Sequence, residues 1–146
     1  MLTISYPRPD FRIRQEQGNE QIFDPLRKKW LSLTPEEWVR QNFLQYLLQV
    51  MKYPSTLVAI EKEIKLGETK KRFDLLVYDN EHRPWMLIEC KSMDITLSEE
   101  TLQQALRYHC SIQVTYIIIT NGNDCYAWKK QGNDLYLIDR LPEFGL

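Results

Sequence analysis

Residues 114–120, Val-Thr-Tyr-Ile-Ile-Ile-Thr, are nearly continuous apolar, and this run constrains the fold more than any other feature. A short strand that does not alternate apolar with polar residues is one whose two faces are both covered. The chain must therefore supply layers for both sides of a sheet. Two helical segments qualify. The first begins at Thr34-Pro35-Glu36-Glu37. There Thr34 can cap, Pro35 suits the first helical position, and two acids oppose the positive end of the helix dipole. Apolar residues then recur at Val39, Phe43, Leu47 and Val50, flanked by Leu44, Leu48 and Met51, until Tyr53-Pro54-Ser55 ends the helix. The second helix covers residues 98–110, with Ser98 as cap and Glu99 and Glu100 in its first turn.

Between these helices stand three strand candidates, at 60–66, 72–78 and 85–91. Cys125 to Lys130 and Leu135 to Asp139 close the chain as a hairpin around Gly132-Asn133. The expected order is αβββαβ plus a C-terminal hairpin, an α/β fold with a mixed central sheet flanked by helices. Residues 1–33 show no clean period and are expected to be an irregular arm, with at most one short strand or turn of helix around residues 24–31, and residues 34–146 a single domain.

At 146 residues the chain is long enough to bury a core without disulfides or a structural metal. No apolar run approaches the ~20 residues of a membrane-spanning helix, and the N-terminus lacks the pattern of a secretory signal. Cys90, Cys110 and Cys125 form no close pair, which suits a reducing compartment, so a cytoplasmic protein without membrane association is expected. The formal charge of −1 is a sharper limit, because proteins that hold nucleic acid mainly by neutralising phosphates are usually basic. Any such contact here needs a local patch, a metal or a partner subunit.

The strands 72–78 and 85–91 carry the chemistry. With Tyr78 opposite Trp85 in the hairpin, Asp74 falls directly opposite Glu89, and alternation returns Lys91 to the same face. Two opposed carboxylates repel, and the apolar flank Met86-Leu87-Ile88 is a poor home for charge. A cation between the acids resolves both problems. Oxygen ligands with room for water suit Mg²⁺, with Mn²⁺ as a substitute. The plain alternative is a solvent-facing salt-bridge network of the same three residues.

Phe73-Asp74, fourteen intervening residues and Glu89-Cys90-Lys91 resemble the active-site signature of the PD-(D/E)xK nuclease superfamily, with Phe73 where the signature has Pro. The wider string KRFDLLVYDNEHRPWMLIECKS, with TPEEWVRQNFLQYL before it and YIIITNG after it, is similar to the N-terminal nuclease domain of type I restriction-enzyme R subunits. The resemblance covers roughly residues 25–130 and implies a restriction-endonuclease-like core. It implies Mg²⁺-dependent hydrolysis of DNA phosphodiester bonds, leaving 5′-phosphate and 3′-hydroxyl ends. Asp74 and Glu89 would be metal ligands, the Cys90 carbonyl would complete the metal shell, and Lys91 would be the catalytic lysine. Gln104 and Tyr108 are similar to the QxxxY motif of the RecB-like branch, and their spacing puts them on one helical face. Glu37, or else Glu36, matches the acid that the first helix contributes in many members.

Lys70-Lys71-Arg72, beside Asp74, is the candidate phosphate-contacting run. Arg8, Arg12 and Arg14 with Tyr6 and Phe11 read either as a DNA-touching arm or as a solvated tail. No Walker-type loop occurs, so no DNA-translocating motor is expected in this sequence. The expected partners are DNA, helicase or specificity subunits of a restriction or repair system, and a second copy of the chain. The competing function is a non-catalytic DNA-binding or adaptor module that keeps the nuclease fold.

Overall fold

A computed structural model describes residues 1–145. Helix α1, Pro35–Gln45, starts where expected, with Thr34 Oγ1 accepting the Glu37 backbone N–H at 3.0 Å. It continues into a π-helical turn, Tyr46–Val50. Strands β4 (Val58–Leu66), β5 (Thr69–Tyr78) and β6 (Pro84–Cys90) follow, then helix α2 (Glu99–His109), β7 (Tyr116–Thr120), β8 (Cys125–Gln131) and β9 (Asp134–Ile138). These six strands form one sheet in the order β4-β5-β6-β7-β8-β9. Every neighbour is antiparallel except β6 and β7, which run parallel because α2 carries the chain back across the sheet. The αβββαβ order with its closing hairpin is the expected restriction-endonuclease-like one.

Every residue of β7 is buried, as its unbroken apolar run requires. Tyr116 and Ile118 join Leu75, Val77, Met86 and Ile88 beneath Val39, Phe43, Leu44 and Leu47 of the α1 side. Ile117 and Ile119 join Leu76 and Leu87 beneath Ala105 and Leu106 of α2. The sheet thus has one core on each face.

Two expectations need correction. The stretch taken as an irregular arm instead holds three strands, β1 (Ile13–Glu16), β2 (Asn19–Asp24) and β3 (Lys29–Ser32), paired antiparallel in chain order. Gln17 and Gly18 join β1 to β2 with φ of 52° and 82°, the left-handed pair that a tight two-residue hairpin requires. These strands are short and mostly polar, so periodicity gave no sign of them. The second correction is to the hairpin register. Leu75 lies opposite Ile88, Leu76 opposite Leu87 and Val77 opposite Met86, as expected, but an irregularity after Val77 puts Tyr78 opposite Pro84 instead of Trp85. Proline has no N–H for the ladder, and strand ends and bulges are where sheets accept it.

Among the described residues no helix is long and apolar enough to cross a membrane.

Candidate active site

Strand β6 ends in Glu89-Cys90, with Lys91 just beyond it, and the three side chains divide between two faces. Cys90 enters the α1-side core, only 1% exposed, and burial pushes its thiol pKa well up. Glu89 points to the other face. There its Oε1 meets Nε2 of the buried His109 at 2.9 Å, and Lys91 Nζ stands 3.2 Å from its Oε2. Lys91 is the ionic partner of Oε2, an oxygen closed to solvent that no other group approaches as donor. Burial alone would raise the Glu89 pKa. The His109 hydrogen bond and the Lys91 charge outweigh it and hold the carboxyl below its ordinary range.

Asp74 sits where strand alternation fails. Phe73 packs in the α2-side core and Leu75, two residues on, in the α1-side core. Across β4 the ladder pairs Ile60 with Leu75 and Lys62 with Phe73, skipping Glu61 and Asp74. Glu61 has the left-handed φ of 50°, a strained conformation for a side-chain-bearing residue within a strand. The distortion lets Asp74 Oδ2 accept the Cys90 backbone N–H at 2.7 Å. Burial, with the charges of Glu36 and Glu89, pushes the Asp74 pKa up to about 6, against the opposing pull of that N–H and of Arg40.

Both acids line one open cleft of about 900 Å³, whose walls also include Glu36, Glu37, Arg40, Glu61, Arg72, Cys90, Lys91 and Tyr108. Gln104, Lys70 and Lys71 do not line it. Gln104 is exposed on α2, whose inward residues are Ala105, Leu106 and His109. Lys71 Nζ lies 3.9 Å over the Tyr108 ring, a cation–π pair that braces this wall. Arg72 reaches the cleft from the opposite face of the β4–β5 ribbon.

Glu37 lines the same cleft but is already engaged by neighbours on its own helix. Its carboxylate is paired with Arg40, through Nε at 3.1 Å and also through Nη2, and accepts from Gln41 at 3.0 Å. Arg40 Nη1 continues to Glu61 at 2.7 Å and lies 3.9 Å from Asp74 Oδ1. Beyond it Arg27 bridges Glu61 and the fully buried Asp24, and Gln41 donates to Asp24 as well. This buried network ties the small sheet, α1 and β4 together behind Asp74. Exposed Glu36, rather than Glu37, is the α1 acid whose charge bears on Asp74.

Of the Asp74 and Glu89 oxygens that could hold a hard cation here, Oδ1 and Oε2 are the ones that accept neither the Cys90 N–H nor the His109 Nε2 contact. Among the described residues there is no cluster of three or more His, Cys, Asp or Glu side chains arranged as a metal cage. A site of two carboxylates fits Mg²⁺, which keeps most of its waters.

The family model for the type I restriction enzyme R protein N terminus matches residues 35–142. The chain belongs to that family. The match spans both helices and the whole six-stranded sheet, so it includes every residue of the cleft except Leu31, Ser32 and Thr34. No curated protein matches the sequence. Among solved structures, a protein from Anabaena variabilis ATCC 29413, described as a candidate nuclease belonging to DUF820, is similar at 11% identity and a TM-score of 0.48. The overlap covers 87% of this chain and 80% of that one.

For this member of the family, sequence reasoning missed Asp24, Arg27, Arg40, Gln41, Glu61 and His109. Arg40 and Gln41 carried a usable signal, standing three and four residues after Glu37 on one helix. His109 carried none, because it meets Glu89 across twenty residues of chain.

Proposed function

We propose that this cleft hydrolyses phosphodiester bonds in DNA with Mg²⁺ bound between Asp74 and Glu89, Mn²⁺ serving as a substitute. One observation carries the proposal. A buried carboxylate oxygen of Glu89 with no donor besides Lys91 shares a cleft with Asp74, a carboxyl that burial and its acidic neighbours resist ionising, and the lysine amine stands 3.2 Å from that oxygen. Lys91 and Arg40 offset part of the charge of the two acids, and a divalent cation would offset the rest. When bound, Mg²⁺ polarises the scissile phosphate and lowers the pKa of a bound water.

The chain's own groups supply the rest. Asp74 Oδ1 and Glu89 Oε2 are the ligands, and the Cys90 carbonyl is the third that the family resemblance implies. Lys91 orients the attacking water or meets the charge that develops on the phosphate. Arg72 on the cleft wall, with Lys70 and Lys71 beside it, holds the phosphate backbone, and Tyr108 closes the other side. Glu36 is the α1 acid nearest in effect to the metal position, in place of Glu37. Gln104 has a role only if α2 shifts toward the substrate. With a metal held by these residues, the family resemblance implies that hydrolysis would leave 5′-phosphate and 3′-hydroxyl ends.

The test compares purified protein with its Lys91→Ala variant on linear and branched DNA in Mg²⁺ and Mn²⁺. Cleavage that falls about 10²-fold or more on losing the amine supports the mechanism. Equal activity of the two proteins, or none in either, sinks it.

A second reading, a non-catalytic DNA-binding or adaptor module of a restriction or repair assembly, is favoured by the formal charge of −1. Weak DNA affinity alone, with activity recovered on adding a co-purifying helicase or specificity subunit, selects it.

A further inference from the structure

His109 lies on the inner face of α2, 1% exposed, between the rings of Phe73 and Tyr108 at centroid distances of 5.4 and 4.8 Å. Its Nε2 is 2.9 Å from Glu89 Oε1, while its Nδ1 is buried with no partner. These two facts fix the ring's role. An ionised carboxylate only accepts hydrogen bonds, so Nε2 must carry the proton. The Nε2–H bond to Oε1 is the one contact the positioning role requires. Glu89 then has one oxygen committed to a rigid, packed donor and the other, Oε2, met by Lys91 alone.

We infer that His109 is a positioning residue: it pins Glu89 through Oε1 so that the carboxylate offers Oε2 alone, as a single-oxygen ligand, to a divalent cation shared with Asp74. This rests on the metal-nuclease reading of the cleft. A carboxylate with both oxygens free can rotate about its last bond, and it can also grip a cation with both oxygens. With Oε1 held, rotation is lost, and a grip by both oxygens would have to share Oε1 with the imidazole N–H. Partners that orient a ligand in this way commonly account for 10–100-fold in metal affinity. The packing of Phe73 and Tyr108 against the ring extends the effect, since the same α2 turn that delivers His109 also delivers Tyr108 to the cleft wall.

The experiment measures Mn²⁺ binding to the full chain without DNA, by calorimetry and by the Mn²⁺ electron-spin signal. It uses wild type, His109→Leu, His109→Asn and His109→Gln. Gln can place an amide N–H where Nε2 stands, Asn is too short to reach Glu89, and Leu fills the space without a donor. The expected result is 10–100-fold weaker Mn²⁺ binding in the Leu and Asn variants, with Gln within about threefold of wild type. Metal-free melting of each variant separates loss of fold from loss of positioning. If Leu fails to fold, the Asn and Gln pair still decides the matter. Equal Mn²⁺ affinity in wild type and Asn overturns the inference while leaving the nuclease reading intact. A wild type that binds no Mn²⁺ overturns both. Nitrogen-15 shifts of the imidazole give a further check in the metal-free protein, and an Nε2 that carries no proton would also overturn the inference.

Discussion

The Cys90 backbone N–H donates to Asp74 Oδ2 at 2.7 Å, tying the acid of β5 to the peptide that follows the acid of β6. The two carboxyl groups are thus linked through main chain, and only Asp74 Oδ1 is left to face the cleft. The bond favours the ionised form, yet burial and the nearby charges of Glu36 and Glu89 leave the Asp74 pKa at about 6.

That displacement sets a pH dependence. In the unfolded chain Asp74 loses its proton near its ordinary value of 3.8, and in the folded chain near 6. Between these values the folded state holds the extra proton, so stability declines as pH rises from about 4 through about 6 and then levels off. At ~1.4 kcal/mol per unit the loss is at most ~3 kcal/mol. Asp74→Asn is expected to abolish this decline and to be more stable than wild type above pH 6 without metal, although it abolishes cleavage. Urea unfolding at pH 5 and pH 7.5 measures the difference, and an unchanged pH trend in the variant would remove Asp74 as its source.

Arg40 joins Glu37, Glu61 and Asp74 from a position almost closed to solvent. Arg40→Met is expected to cost about 3–5 kcal/mol, because Glu37 is left buried and ionised without its partner. Combining it with Glu37→Gln should restore part of that loss. Chemical denaturation of the single and double variants provides the measurement, and a single variant within about 1 kcal/mol of wild type would contradict the network's role.

On the β4–β5 ribbon, Lys65 lies directly opposite Lys70, and Glu63 opposite Arg72, on the face that carries Arg72 to the cleft. Opposed like charges cost stability in a sheet, and Lys70 has only Glu63, at 3.7 Å with both side chains well exposed, to offset them. A nucleic-acid backbone would relieve the repulsion. Lys65→Ala and Lys70→Ala are each expected to lower the slope of log affinity against log salt by about 0.7–0.9 for DNA. Lys71→Ala should change it less, since that amine already lies over Tyr108. Identical slopes for all three variants would place the phosphate contacts elsewhere.

Much of this was legible because it depends on local rules. The unbroken apolar run at 114–120 demanded a doubly covered strand, and β7 is one. The strand period of two placed Lys91 with Glu89, and the hairpin count brought Asp74 to the end of β6 despite the irregularity at Tyr78. What stayed hidden depends on contacts distant in sequence or on strands too short to show a period. β1 and β3 have only four residues each, too few to show a period, and Gly18 alone marked the turn from β1 to β2. The approach of His109 to Glu89 is set by how α2 rolls on the sheet, which spacing does not encode. The same roll leaves Gln104 in solvent while Tyr108, one turn later, reaches the cleft.

Strand β6 is flanked by β5 on one side and β7 on the other, whereas residues 69–73 of β5 have β4 as their only neighbour. In deuterated water the amide protons of Leu87 and Ile88 should therefore leave only when the whole sheet opens, while those of Lys71 and Arg72 exchange through local fraying. Glu89 and Lys91 thus sit at the end of a strand held from both sides, whereas Asp74 and Arg72 belong to the part of β5 that β6 does not pair. A bulky or irregular polyanion is admitted by movement of that edge, which carries Asp74 with it and leaves the Glu89 carboxylate and its amine in place.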